Sequence, residues 1–192
     1  GKGFEDILKS PALRGTDERF FYNLFCKING VEDRLTYVND LFKLQQELRN
    51  SKRRLVIVNE EIPKPTPEEI AGIKRGNYVK VDQMILNIIG NIQYTANIEL
   101  QKIMHKAFID IILMESKKDA GNINKLTNKA VYLICWLKRY MPELFSNWKA
   151  PDIACFIYMG GCRDHNEALF ISFLAKLPID VLILCPNLNT KC

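Results

Sequence analysis

At 192 residues the chain is long enough for one compact domain, or for a domain with a helical appendage. Its 47% hydrophobic and 26% charged composition is ordinary for a soluble globular protein. A net charge of +5 is compatible with an anionic ligand, yet too small and too dispersed to argue for nucleic acid. Nothing resembles a signal peptide, and no apolar run approaches the roughly 20 residues that cross a bilayer. A cytoplasmic location without membrane contact is therefore expected. Cys26, Cys135, Cys155 and Cys185 lie inside apolar runs, where a reduced cysteine behaves as a small hydrophobe. No cysteine pair has CxxC or zinc-ligand spacing and there are only two histidines, so no metal site is expected and no cofactor is indicated. The chain begins with Gly1 and stops at Cys192, just after an apolar run, which reads as the N-terminal or internal part of a longer protein.

Residues 1–17 mix glycine, proline and charge without periodicity and read as a peripheral arm. Over residues 19–28, Phe20, Tyr22, Leu24, Cys26 and Ile28 alternate partly with Asn23 and Lys27, the pattern of a strand near a sheet edge. Between residues 32 and 50, Leu35, Val38, Leu41, Phe42 and Leu48 keep helical spacing against a polar face of Asp40, Lys43, Gln46 and Glu47. Arg54-Leu55-Val56-Ile57-Val58 follows as a buried strand, so residues 19–59 read as a βαβ unit. After an acidic, proline-rich loop, Thr66-Pro67-Glu68-Glu69 has the form of a helix start: threonine caps, proline takes the first position, and Glu69 reaches back. Gly72 weakens that helix and Gly76 offers a stop.

Residues 78–146 show helical spacing alone. One stripe runs from Val81 through Met84, Ile85 and Ile88 to Ile92; a second runs from Ile98 to Ile112; a third joins Leu126, Ala130, Leu133, Ile134, Leu137 and Met141. Three helices are expected, linked by Gln93-Tyr94-Thr95-Ala96 and Asp119-Ala120-Gly121-Asn122. The apolar run of residues 153–159, the turn Gly160-Gly161-Cys162-Arg163-Asp164-His165-Asn166, a helix over residues 167–177 and the run Val181-Leu182-Ile183-Leu184-Cys185 read as a second βαβ unit. The expected fold is α/β: a Rossmann-like parallel sheet built from two βαβ units with an inserted helical subdomain. Its parts are residues 1–77, 78–148 and 149–192.

Ligands of open α/β sheets bind beyond the carboxyl ends of the strands, which puts the turn at residues 160–167 first among candidate sites. Gly160 and Gly161 allow close backbone approach, the following helix start offers amides to an anion, and Arg163 adds a forked donor. Asp164 or Asn166 is placed to cap that helix. Neither GxGxxG nor GxxxxGK[ST] is present, and a plain tight turn explains the glycines equally well. Cys162 near a helix start is a candidate nucleophile with His165 beside it, although a lone Cys and His at this spacing are more often incidental. Glu167 is a candidate acid or base. Asn187 and Asn189, after Pro186, are placed either to bind hydroxyls or simply to form a turn.

A second constellation lies on the third helix. Lys125, Lys129, Tyr132 and Trp136 share one face, with Lys138 and Arg139 nearby. A basic and aromatic face suits a polyphosphate or nucleotide. A solvated lysine face is the simpler reading. His105 falls on a helix flank in a structural position.

Several segments resemble the YceG-like proteins of Gram-positive bacteria: Asn124-Lys125-Leu126-Thr127-Asn128-Lys129-Ala130, Trp136-Leu137-Lys138-Arg139-Tyr140, Met159-Gly160-Gly161-Cys162, and Asn166-Glu167-Ala168-Leu169-Phe170. Pro63-Lys64-Pro65-Thr66-Pro67-Glu68-Glu69-Ile70 and Leu177-Pro178-Ile179-Asp180-Val181-Leu182 share the likeness. Those proteins are longer and accompany tellurium-resistance (Ter) stress operons as a component of a "biosynthetic module". The resemblance implies a cytoplasmic stress-response role in making a nucleoside-like or otherwise modified metabolite; it assigns no catalytic residues.

Three functions follow as expectations. The first is binding of a nucleotide, nucleotide-sugar or phosphorylated metabolite at the turn of residues 160–167, with transferase chemistry. The second is a non-catalytic module that docks other Ter-operon proteins. The third is polyanion binding through Lys125, Lys129 and Arg139, although nucleic acid is not an expected partner.

Overall fold

The computed structural model describes residues 7–8, 23–29, 34–159 and 164–185. Among them are four strands: β1 (Phe25–Asn29), β2 (Leu55–Val58), β3 (Ala154–Tyr158) and β4 (Ile179–Cys185). They form one sheet of order β1-β4-β3-β2, parallel throughout, with Phe25 opposite Val181, Leu55 opposite Cys155 and Ala154 opposite Ile179. The α-helices are α1 (Arg34–Asn50), α2 (Pro67–Ala71), α3 (Val81–Ile88), α4 (Ile98–Lys118), α5 (Ile123–Phe145) and α6 (His165–Leu174). No helix among the described residues is long and apolar enough to cross a membrane.

Strand composition explains the order. Every residue of β3 and β4 is buried, as continuous apolar runs require when both faces are covered. β2 alternates half-buried and buried, and β1 begins with an exposed Phe25, so these two take the edges. Here the first expected βαβ unit does not hold. β1, α1 and β2 follow one another in sequence, yet β3 and β4 lie between the two strands. β3 and β4, which flank α6 in sequence, do pair with each other.

The chain divides into two compact units. One, the sheet unit, draws on residues 1–62, 143–163 and 178–192; the other, the helical unit, draws on residues 63–142 and 164–177. The helical unit thus starts before residue 78 and takes in α6.

In the sheet unit, α1 packs Leu44 and Leu48 against alternate residues of the central strands, Cys155 and Ile157 on β3 and Leu182 and Leu184 on β4. Tyr37 and Leu41 extend the same stripe. The expected apolar face is therefore rotated: Leu35, Val38 and Phe42 are 71%, 51% and 58% exposed. Two stripes compete on α1, and Tyr37, Leu41, Leu44 and Leu48 (i, i+4, i+7, i+11) run the full length of the sheet contact. Ile7 is fully buried in this core, so the expected peripheral arm has at least one anchor. Cys135 and Cys155 are buried and Cys26 half-buried, none of the three in a disulfide. Cys185 is disulfide-bonded, contrary to the expected reduced state; burial in an apolar strand does not fix a thiol's redox state.

A buried ion pair pins the amino ends of the strands. Asp180, wholly buried at the start of β4, accepts from the Leu24 amide at 2.9 Å and from Arg53 Nη2 at 2.7 Å. Arg53 also donates from Nε to the Ile153 carbonyl (2.9 Å) and from Nη1 to the Ile7 carbonyl (2.7 Å). The desolvation cost of burying Asp180 is offset because its charge is matched and every donor facing it has a partner.

The helical unit follows its sequence signals closely. Thr66 Oγ1 accepts from the Glu69 amide and Glu69 Oε1 accepts from the Thr66 amide, both at 3.1 Å, with Pro67 in the first turn. Asn97 Oδ1 caps α4 through the Leu100 amide at 2.9 Å. Between α4 and α5 the turn adopts φ +81° at Gly121, a conformation that glycine alone adopts without a Cβ penalty. The three expected stripes are buried, from Met84 and Ile88 through Met104, Phe108 and Ile112 to Leu133, Ile134 and Met141. Val81, Ile89 and Ile103 are half-buried, and Ile98 is 70% exposed at the first position of α4.

Candidate functional site

Two regions that the sequence offers separately meet in the helical unit. α6 begins with Asp164, whose Oδ1 accepts from the Glu167 amide at 2.9 Å; of the two possible caps, aspartate takes the role. His165 follows as the first helical residue, and its Nε2 lies 2.8 Å from Glu115 Oε2 on α4. The same Glu115 oxygen accepts from Lys129 Nζ of α5 at 3.0 Å, and Lys129 also reaches Asp119 Oδ2 at 2.7 Å. Lys118 (3.3 Å to Glu115) and Lys125 (3.5 Å to Asp119) complete the cluster from its exposed side. Helical spacing produces this arrangement. Lys125 and Lys129 are one turn apart on α5, Glu115 of α4 and its C-cap Asp119 are likewise one turn apart, and each pair faces the other.

Burial sets the electrostatics. Glu115 is 2% exposed and Lys129 15%, while the His165 side chain is 48% exposed. Burial pushes the Glu115 carboxyl up, but hydrogen bonds from His165 and Lys129 outweigh it and bring its pKa down to about 2. Asp119 is lowered chiefly by its hydrogen bond from Lys129. Burial favours the neutral form of Lys129, yet its bonds to Asp119 and Glu115 raise its pKa above the usual lysine value. Both carboxylates are therefore ionised at neutral pH, and an ionised carboxylate can only accept. Nε2 of His165 thus carries the proton, and in the neutral ring Nδ1 is left as an acceptor on a half-exposed side chain. A carboxylate that fixes the tautomer and orientation of an accessible imidazole is the arrangement used for general acid–base catalysis. Lys118, Lys129 and His165 hold Glu115, and Lys125 and Lys129 hold Asp119, so both carboxylates are charge-matched within the cluster.

The other expected site residues divide sharply. Gly160, Gly161, Cys162, Arg163, Asn187 and Asn189 lie outside the described residues. Asn166 is half-buried and Glu167 is 1% exposed, so its carboxyl is set into the helical unit and turned from solvent. Arg139 does not join Lys125 and Lys129. Its Nη2 and Nε bond the two oxygens of Glu69 at 2.7 and 3.3 Å, and its Nη1 donates to the Pro63 carbonyl at 2.7 Å. That hydrogen bond is the main cause of a lowered Glu69 pKa, and it ties the α2 cap to α5. Trp136 is 1% exposed and donates to the same Pro63 carbonyl at 3.0 Å, so it belongs to the core and not to a stacking face. It packs edge-on against Tyr132 and at a tilt against Phe170. His105 bonds the Ile92 carbonyl at 3.1 Å, the structural position expected of it.

Sequence reasoning did not name Glu115, the residue that organises the cluster. A signal was present: Glu115 continues the apolar stripe of Met104, Phe108 and Ile111 at helical spacing, and a lone carboxylate on a buried stripe requires a buried partner.

No curated protein and no solved structure matches the chain. The YceG domain profile matches residues 2–192. The chain belongs to the YceG domain family.

Proposed function

We propose that the chain binds a phosphorylated or nucleotide-like metabolite beside His165, and that this histidine, oriented by Glu115, moves a proton to or from it. The observation that carries this reading is the 2.8 Å contact between a 2% exposed carboxylate and a half-exposed imidazole. Lys118 and Lys125, 61% and 60% exposed at the rim of the same cluster, supply the charge for an anionic substrate. The anion is placed on this lysine side, because Asp164 already satisfies an amide at the start of α6. On this reading the parallel sheet is the Rossmann-like scaffold of a cytoplasmic component of the Ter-associated biosynthetic module, with a transferase step on a nucleotide or nucleotide-sugar the first chemistry to examine.

Calorimetry with a panel of nucleotides, nucleotide-sugars and sugar phosphates tests it. At least one compound binds, Lys125→Ala weakens it roughly tenfold, and His165→Asn removes turnover while the fold persists. Absence of binding across the panel, or binding indifferent to both variants, overturns the site.

A second reading, a non-catalytic module that docks other Ter-operon proteins, is favoured by one observation: the exposed apolar face of Leu35, Val38 and Phe42 on α1. It predicts that a Val38→Glu, Phe42→Lys double variant loses co-purification with operon partners while its small-molecule binding is unchanged.

A further inference from the structure

The sheet unit holds a cavity of about 620 Å³ at the amino ends of β2 and β3. Its size is within the range of small-molecule pockets. The floor is apolar and well packed: Leu48, Leu144, Ile153 and Ala154 are each no more than 4% exposed. One wall carries Trp148, whose ring is held by a hydrogen bond from Nε1 to the Asp152 carbonyl at 2.8 Å. Arg53 contributes rigidity and no free charge, being spent on Asp180 and two carbonyls.

The charged side chains that remain are exposed to solvent. Lys52 and Arg54 line the cavity with Glu47 and Asp152, two cations and two anions, yet none of the four forms an ion pair among the described residues. The Arg54 side chain makes a single hydrogen bond, Nη2 to the Ser146 carbonyl at 3.2 Å, which leaves Nε and Nη1 available. α1 and α5 both end at this cavity. The residues just beyond them, Lys52 (φ +57°) and Asn147 (φ +55°), adopt the left-handed conformation that closes a helix carboxyl end. Such ends carry partial negative charge and favour a cation.

A simple anion in this cavity would face Glu47, Asp152 and two helix carboxyl ends; a simple cation would face Lys52 and Arg54. A molecule with one charge of each sign, set apart, satisfies both, and its apolar portion has Trp148 and the buried floor to cover. We propose that this cavity binds a zwitterionic small molecule, an apolar α-amino acid or dipeptide, with its carboxylate on Arg54 and Lys52 and its ammonium toward Glu47 and Asp152. The site is separate from His165, and its failure would leave the reading of that histidine standing.

The test is calorimetry on the whole chain with leucine, phenylalanine and leucyl-phenylalanine as probes, beside their N-acetyl and amide forms and inorganic phosphate. At least one zwitterion binds, its N-acetyl and amide forms bind at least tenfold more weakly, and phosphate does not bind at this cavity. Arg54→Gln weakens the zwitterion about tenfold but leaves the amide form unchanged, because only the carboxylate contact is lost. His165→Asn leaves all of these affinities as they were. An N-acetyl form that binds as well as the zwitterion, indifference to Arg54→Gln, or no binding by any zwitterion each overturns the proposal; circular dichroism of Arg54→Gln separates lost contact from lost fold.

Discussion

Asp180 and Glu115 are both carboxylates taken almost completely out of water, and each is held by a basic side chain at 3.0 Å or less. Their surroundings differ. The cation beside Asp180 is Arg53, which is 13% exposed and fixed by two backbone carbonyls, so the pair is almost fully withdrawn from solvent. Glu115 is shared among Lys129, Lys118 and His165, and the last of these is half exposed. A closed pair can only hold strands together. An open one couples a buried charge to a group that solvent and ligands reach, which is the physical difference between a structural and a chemical use of the same residue type.

Four perturbations sharpen or break that comparison. Asp180→Ala leaves Arg53 buried without its counter-charge and the Leu24 amide without an acceptor; chemical denaturation should show a loss of about 3–5 kcal/mol. Acid comes next. The Glu115 pKa is lowered in the folded chain, so its stabilising contribution is complete above the ordinary glutamate range and disappears as pH falls toward about 2. Denaturation followed between neutral pH and that limit should lose at most about 3 kcal/mol through this group, and Glu115→Gln should flatten that part of the profile. Glu115→Ala at neutral pH should cost about 2 kcal/mol, less than Asp180→Ala, because Lys129 retains Asp119. His165→Asn should cost about 1 kcal/mol, since Lys129 and Lys118 still hold Glu115 when the half-exposed ring is gone, while removing any proton-transfer activity. A His165→Asn variant as unstable as Asp180→Ala would erase the distinction.

Much of this was legible in residue order. The apolar runs at residues 153–159 and 181–185 read as doubly buried strands, as β3 and β4 are, and Thr66-Pro67-Glu68-Glu69 folds as its capping chemistry requires. The strand order was not, because pairing β1 with β4 joins residues more than 150 positions apart, beyond any local periodicity. The facing of α1 failed for a different reason: two stripes of similar apolarity share the helix, and only the sheet decides between them. At the site, the four-residue spacing of Lys125 and Lys129 correctly placed them on one face. What they meet there is supplied by α4, and a solvated lysine face and an ion-paired one look the same in sequence.

The proposed chemistry requires an imidazole held by Glu115 through Nε2, with Nδ1 open to a bound metabolite. A nitrogen-15 spectrum of the histidine rings at mildly alkaline pH, assigned by comparison with His165→Asn, reads both nitrogens directly. The prediction is a proton on Nε2 of His165 and an Nδ1 resonance that moves when a binding nucleotide or sugar phosphate is added. A proton found on Nδ1, or a ring that stays unchanged while such a compound binds, would contradict it.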